Sequence, residues 1–521
     1  MDVRQLGVEF FDRLNRHDPL GASLVGLTTY DAFLPDPRHS ADLAAARYFR
    51  AVARSASSLA VGASSLAVDD TDRDVLRWMA DAAADEAEHC LWEANASAMV
   101  YGSPQASYFM AGGDQRLPGA AAFFDGLADR YRDAASRGRP STRFGLQQAA
   151  AQLDAHLERP VPVLPAGVRA AMIRLRDAYL GELSENARDD EHAGILAVRG
   201  GEAGYRAAVA AHTTLPSTPR EVHDLGLSLL ADLDEQWSTI GKEAFGITDP
   251  VAVRAKLRDD PSLRFTTAAE IMATVAAALD RVSARTPEIT ALAASAPCAF
   301  AEVPPEDADS APAAYYRPPA VDGSQPGTVF IHTADPGQRS RFALEALTFH
   351  EAVPGHHFQI VAAQGLTELP DFRRYVDTRL GAYVEGWALY AEQLADEMGL
   401  YSSPLTRLGR VSLAALRAAR LVTDTGLHAF GWSRRQSRDF LTAGTVMSSR
   451  DVRQETDRYI AWPGQALAYS VGAREILRLR ESARTSLGSR FDLAAFHDQV
   501  LGAGIVPMTV LSTIINRWAA A

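Results

Sequence analysis

Pro354 and Gly355 interrupt a run that otherwise reads as one helix, Phe349-His350-Glu351-Ala352-Val353-Pro354-Gly355-His356-His357. Proline has no N–H, so residue 354 cannot bond the carbonyl of His350 four residues back. Glycine at 355 then permits backbone angles that other residues resist. A regular helix therefore cannot pass through this point, and the break decides where three histidines and a glutamate go. On an intact helix His356 would lie roughly 120° around from His350 and about 9 Å along the axis. His357 would return to the same face but sit about 10 Å along. Neither could share one tetrahedral ion with His350. If the Pro-Gly pair loops out two residues, His356 comes back to the slot one turn from His350. A larger break brings His357 there instead.

The run is close to H-E-x-x-H, in which two histidines one turn apart bind zinc and the glutamate acts as general base. An isolated histidine on an apolar helix is ordinarily a packed core residue. Three histidines and an acid beside a helix break point instead to a metal site, with His350 and His356 (alternatively His357) as ligands and Glu351 as base. The third ligand is expected from Tyr383-Val384-Glu385-Gly386-Trp387-Ala388-Leu389-Tyr390-Ala391-Glu392. Val384, Trp387, Ala388 and Ala391 form a core-facing stripe there. Glu385 lies at the stripe's edge, and Gly386 beside it permits close approach. Glu392, two turns on, reads as a solvated acid or as a partner behind a ligand. Two histidines and one carboxylate suit a single Zn2+ with a fourth position open to water.

The rest of the chain bounds the fold. With 521 residues it can bury a large core in two or more lobes. Net charge is −13 with no basic patch, which argues against a nucleic-acid partner. Cys90 and Cys298 are too few for a disulfide framework. Charged residues enter from Asp2 onward where a secretory leader would be apolar, and no apolar run is long enough to span a membrane. The expected location is cytoplasmic.

The 3.6-residue period recurs over Leu146–Leu157, Val168–Leu183 and Leu225–Ile240, so the fold class is mainly α. Ser217 or Thr218 is positioned to cap the helix that begins at Pro219. Cys298–Val303, Ala314–Tyr316 and Thr328–Ile331 read as short strands between turns. A helical lobe over 1–285 and a metal-binding lobe over 286–521, with a small sheet at 298–333, are expected to intertwine in one unit.

These segments together resemble a bacterial family catalogued as domain of unknown function number 885, placed among zinc-peptidase relatives. Its hallmark H-E-A-x-P-G-H-H stands here from His350 to His357. Also matching are Ala314-Tyr315-Tyr316 with Pro318, Asp322-Gly323, Pro326-Gly327 and Tyr383-Val384-Glu385-Gly386-Trp387-Ala388. Further on come Thr423-Asp424-Thr425-Gly426-Leu427-His428, Trp462-Pro463-Gly464-Gln465-Ala466 with Tyr469, and Phe491-Asp492-Leu493 with Phe496-His497. Gly26, Tyr30 and Asp31 resemble the opening segment. Gln325 departs, standing where the family carries arginine. The resemblance implies an elongated helical fold with a deep cleft, His350, His356 and Glu385 as ligands, and Glu351 as base.

The expected activity is metal-assisted hydrolysis of an amide bond in a peptide or small amide substrate. Tyr469 and His428 are candidates to stabilise the oxyanion. Tyr316 and Arg474 are candidates for substrate contact. The competing readings are an amide or ester hydrolase of a specialised metabolite, and a non-catalytic metal or peptide binder. Retention of Glu351 speaks against the binder, which needs ligands but no base.

Overall fold

The computed structural model describes residues 2–59, 67–98, 115–158, 164–292, 297–305, 311–321 and 323–521. Asp322, part of one expected turn, lies outside them. The architecture is mainly α-helical with one three-stranded sheet. Long amphipathic helices pair along their apolar stripes, as His39–Ser58 does against Ala67–His89. Of the periodic segments read from the sequence, the run Val168–Leu183 is cut at Gly181 between helices Ala166–Leu180 and Glu182–Glu185, whereas Leu146–Leu157 and Leu225–Ile240 fall in helices Arg143–Glu158 and Pro219–Phe245. The last starts at a reciprocal cap between Thr218 and Glu221 and stops at Gly246, whose φ of 72° suits glycine.

Strands β1 (Ala299–Glu302), β2 (Ala314–Arg317) and β3 (Thr328–Ile331) form the sheet in the order β1-β3-β2. β1 pairs parallel with β3, with Ala299 opposite Thr328. β2 pairs antiparallel, with Ala314 opposite Ile331. Central β3 is buried along its whole length, as an apolar run without alternation should be. Its exit leads into the helix Leu344–Glu351, hereafter the motif helix.

The largest apolar cluster runs from Leu6 and Phe10 through Val329, Phe349 and Trp387 to Ile515 and Ala519. Residues on both sides of position 285 thus share one core. Among the described residues no helix is long and apolar enough to cross a membrane. Cys90 and Cys298 are both free thiols.

Candidate metal centre

The motif helix ends at Glu351 and a second helix starts at His356. Four residues form the break, with a cis Val353–Pro354 bond and the Pro354 carbonyl accepting from Trp387 Nε1 at 2.8 Å. Gly355 packs directly against the carbonyls of Phe349 and His350, and a Cβ there would collide with both. The return is therefore tight enough to fold His356 back on His350. Their rings meet edge to face, with centroids 4.7 Å apart.

A third helix, Gly381–Glu397, supplies both acids considered from the sequence. Glu385 Oε2 lies 3.5 Å from His350 Nε2 and 3.2 Å from His356 Nε2. Two turns on, Glu392 Oε1 is 2.8 Å from the opposite nitrogen, His350 Nδ1. One imidazole thus bridges acids that no single ion could touch.

His350, His356 and Glu385 each present a ligand atom, all within 4.8 Å of one another. The residues fit a tetrahedral cation. Zinc–nitrogen bonds of about 2.0–2.1 Å place neighbouring ligand atoms roughly 3.3 Å apart, and the observed 3.2 and 3.5 Å bracket that spacing. Moreover Glu385 Oε2 is buried, yet neither imidazole makes a proper hydrogen bond to it. Such an orphaned oxygen is costly unless another partner takes it. Glu392, 2.8 Å from His350 Nδ1, stands where a carboxylate would fix the tautomer of a ligating histidine. His356 Nδ1 is buried with no such partner.

The electrostatics suit a cation. Burial pushes the Glu385 carboxyl up, but the two imidazoles outweigh it and hold it well below the usual carboxylate range. Burial pulls His350 down, while Glu385 and Glu392 outweigh that and carry it up to about 9. Glu351, half-buried at the helix end, is raised, chiefly by burial, and His350 and His356 oppose the shift. A raised carboxyl is the condition for a carboxylate that takes and returns a proton near neutral pH.

A second grouping, His39, Asp42 and Cys90, also brings ligand atoms within 4.8 Å. There Arg130 holds Asp42 at 2.6 Å, and burial drives the Cys90 thiol far above its ordinary value. That cluster reads as part of an ion-pair network in which Arg130 binds both Asp42 and Glu93.

Tyr469 reaches the centre because its helix, Ala468–Leu487, crosses Gly381–Glu397 at a glycine pair. A Cβ on Gly386 would lie 2.5 Å from the backbone carbon of Gly472. Tyr469 stacks at 17° to the His350 ring, 6.4 Å between centroids. The other candidates lie elsewhere. His428 is fully buried, accepts from the Ile195 N–H at 3.0 Å and meets the Tyr459 carbonyl at 2.9 Å. With both nitrogens engaged by backbone, it is a packed core histidine and has no donor left for an oxyanion. Arg474 is exposed, on the helix face opposite buried Gly472, Ala473 and Ile476, so it does not line the centre. His357 turns to Tyr316, whose hydroxyl is 3.0 Å from its Nδ1, so it stands apart from the grouped ligands. Tyr316 is thereby a neighbour of the break through His357.

Sequence reasoning missed three arginines around Tyr469. Arg420 and Arg417 lie 4.5 and 5.8 Å from the ring centroid, and Arg458 is 3.5 Å from its hydroxyl. The i, i+3 spacing of Arg417 and Arg420, set among the apolar residues Leu413–Leu416, Ala418–Ala419 and Leu421–Val422, was the available signal.

These observations define a mainly helical protein with a buried two-histidine, one-glutamate cluster. The chain belongs to the family described as "Bacterial protein of unknown function (DUF885)", matched over residues 19–515. The crystal structure titled as that of "the putative lipoprotein from Colwellia psychrerythraea" is similar at 26% identity. It has a TM-score of 0.84, with 99% of this chain and 98% of that chain covered. The structure of "a putative lipoprotein of unknown function from Shewanella oneidensis" is similar in fold at 18% identity. Its TM-score is 0.75, covering 99% of this chain and 100% of that one. No curated protein matches.

Proposed function

We propose that the protein is a zinc-dependent hydrolase that cleaves an amide bond in a peptide or small amide. The observation that carries this reading is the convergence of His350, His356 and Glu385 within 4.8 Å beside the carboxylate of Glu351. The reading places this centre in a substrate cleft of the helical zinc-peptidase kind. When bound, a divalent cation there would acidify water and polarise a carbonyl.

The chain's own residues do the rest. Glu351 takes a proton from the attacking water and delivers it to the leaving nitrogen, a role its raised proton affinity suits. Glu392 keeps the Nδ1 proton on His350, leaving Nε2 as the ligand nitrogen. Tyr469, stacked beside His350, offers the hydroxyl donor for the developing oxyanion.

The test has two parts. Elemental analysis of wild type should find about one zinc per chain, and His350→Ala should lose it. Glu351→Gln should keep the metal and lower turnover of a cleavable peptide at least about 100-fold. Near-wild-type turnover by Glu351→Gln rejects the mechanism, and unchanged metal in His350→Ala rejects the centre.

A further inference from the structure

Arg417 lies on the helix Pro404–Ala429 and is 5% exposed, and its side chain makes no hydrogen bond to any described residue. Among the described residues its one carboxylate within ion-pair distance is Glu392, at 3.5 Å, and that acid already receives His350 at 2.8 Å; Glu351 lies near enough to feel its charge. The Arg417 Nε–H is buried without an acceptor. Neighbouring guanidiniums are differently placed. Arg420 donates to Glu455 at 3.0 and 2.8 Å. Arg458 pairs with the same Glu455 and with Gln465. Arg420 and Arg458 thus have acceptors in Glu455 and Gln465, while the Arg417 side chain is left without one.

A buried guanidinium with idle donors is costly unless a ligand completes it. Its planar fork matches a carboxylate through two parallel hydrogen bonds. A phosphate dianion suits the place less, because Glu351, Glu385 and Glu392 stand close by and repel the second charge. Arg417 meets His350 through Glu392 at the Nδ1 edge, and the width of the imidazole separates that edge from Nε2 beside Glu385. One or two residues of extended peptide, at about 3.5 Å each, span such a distance.

We infer that Arg417 binds the free carboxylate of the substrate, so that the enzyme removes one or two residues from a peptide's carboxy terminus. This rests on the hydrolase reading above and narrows its substrate class. Arg417 is then a specificity-determining residue, and Tyr469 forms a wall of the same subsite.

The test uses two randomised, N-acetylated tripeptide pools, one with free carboxylates and one with carboxy-terminal amides. Zinc-loaded full-length Glu351→Gln protein is used for retention, and wild type for turnover, both read by mass spectrometry. The free-acid pool should be retained about 10- to 100-fold better than the amide pool, the range of a charge-assisted hydrogen bond. Adding Arg417→Gln should abolish that ratio. Arg417→Lys, which keeps the charge facing Glu392, should retain zinc and melting temperature yet lose most of the ratio, because the fork is gone.

Equal retention of the two pools, or retention of neither, overturns the inference, as does an undiminished ratio in Arg417→Lys and Arg417→Gln. The two readings separate cleanly. Wild type cleaving both pools equally sinks the anchor and leaves the hydrolase. Arg417-dependent retention of free acids without cleavage by wild type upholds the anchor and sinks the hydrolase.

Discussion

His350 serves two carboxylates at once, Glu385 at Nε2 and Glu392 at Nδ1, and this division of labour can be tested residue by residue. Glu385 Oε2 is the oxygen shared with His356, so on the zinc reading its loss removes a ligand. Glu392 touches the far edge of the ring, so its loss would leave the proposed ligand set intact but free the tautomer and strand Arg417. Zinc titration should show a strong loss of affinity in Glu385→Ala and only about a 10-fold loss in Glu392→Ala, the usual scale for a partner behind a ligand. The opposite order would move the ligand to Glu392. Both acids were visible in the sequence, since one lies beside Gly386 and the other two turns on. What the sequence could not show was that a single imidazole spans them, which depends on how the motif helix lies across Gly381–Glu397. His428 failed for a related reason. A histidine in a patterned segment looks chemical until the backbone groups that satisfy it, Ile195 N–H and Tyr459 C=O, are located. Those partners lie 233 and 31 residues away in the chain.

At the scale of elements, the site depends on two places where helices approach through glycine. Gly355 lets the chain double back over the Phe349 and His350 carbonyls, and the Pro-Gly pair made that break legible. The strands were equally legible: Thr328–Ile331 was read to the residue, because an apolar β-branched run bounded by turns has few alternatives. The Gly386–Gly472 crossing was half legible. Gly386 announced a close approach, but nothing in the sequence named the partner helix. That crossing brings Tyr469 to His350 and holds Glu385 against the motif helix. A methyl group at 386 would meet the Gly472 backbone at 2.5 Å and force the helices apart. Gly386→Ala should therefore lower stability by about 1–3 kcal/mol, the cost of overpacking, and weaken zinc binding as well. Gly365→Ala, where a Cβ meets nothing within 4 Å, is the control and should leave both unchanged. Thermal melting and metal titration of the two variants decide it, and a neutral Gly386→Ala would show that the crossing does not set the site.

At the scale of the whole molecule, one core spans the chain from Leu6 to Ala519, so protons buried far from the centre bear on the stability of all of it. His497 is fully buried between the Tyr390 hydroxyl and the Ile289 carbonyl, and burial pulls it down to about 4. Asp424 is fully buried against Tyr205 and the Gly464 N–H, and burial lifts it to about 7 although both hydrogen bonds oppose that. The two groups act in opposite directions. Unfolded histidine binds a proton below its ordinary 6.5, where the native ring resists one, so His497 costs stability as pH falls from about 6.5 toward 4. Unfolded aspartate releases its proton near 3.8, while native Asp424 holds it to about 7. Asp424 therefore costs stability as pH rises across that interval and reaches its full cost above it. From the two shifts the full costs are about 3 kcal/mol for His497 and about 4 kcal/mol for Asp424. His497→Gln keeps an acceptor and a donor without the charge, and Asp424→Asn keeps the acceptor. Relative to wild type, His497→Gln should gain as pH is lowered from 6.5 to 4, and Asp424→Asn should gain as pH is raised from 4 to 7. Melting temperatures of the three proteins at pH 4.5, 6 and 8 provide the measurement. Parallel profiles for wild type and either variant would mean that the replaced group does not titrate differently in the folded chain.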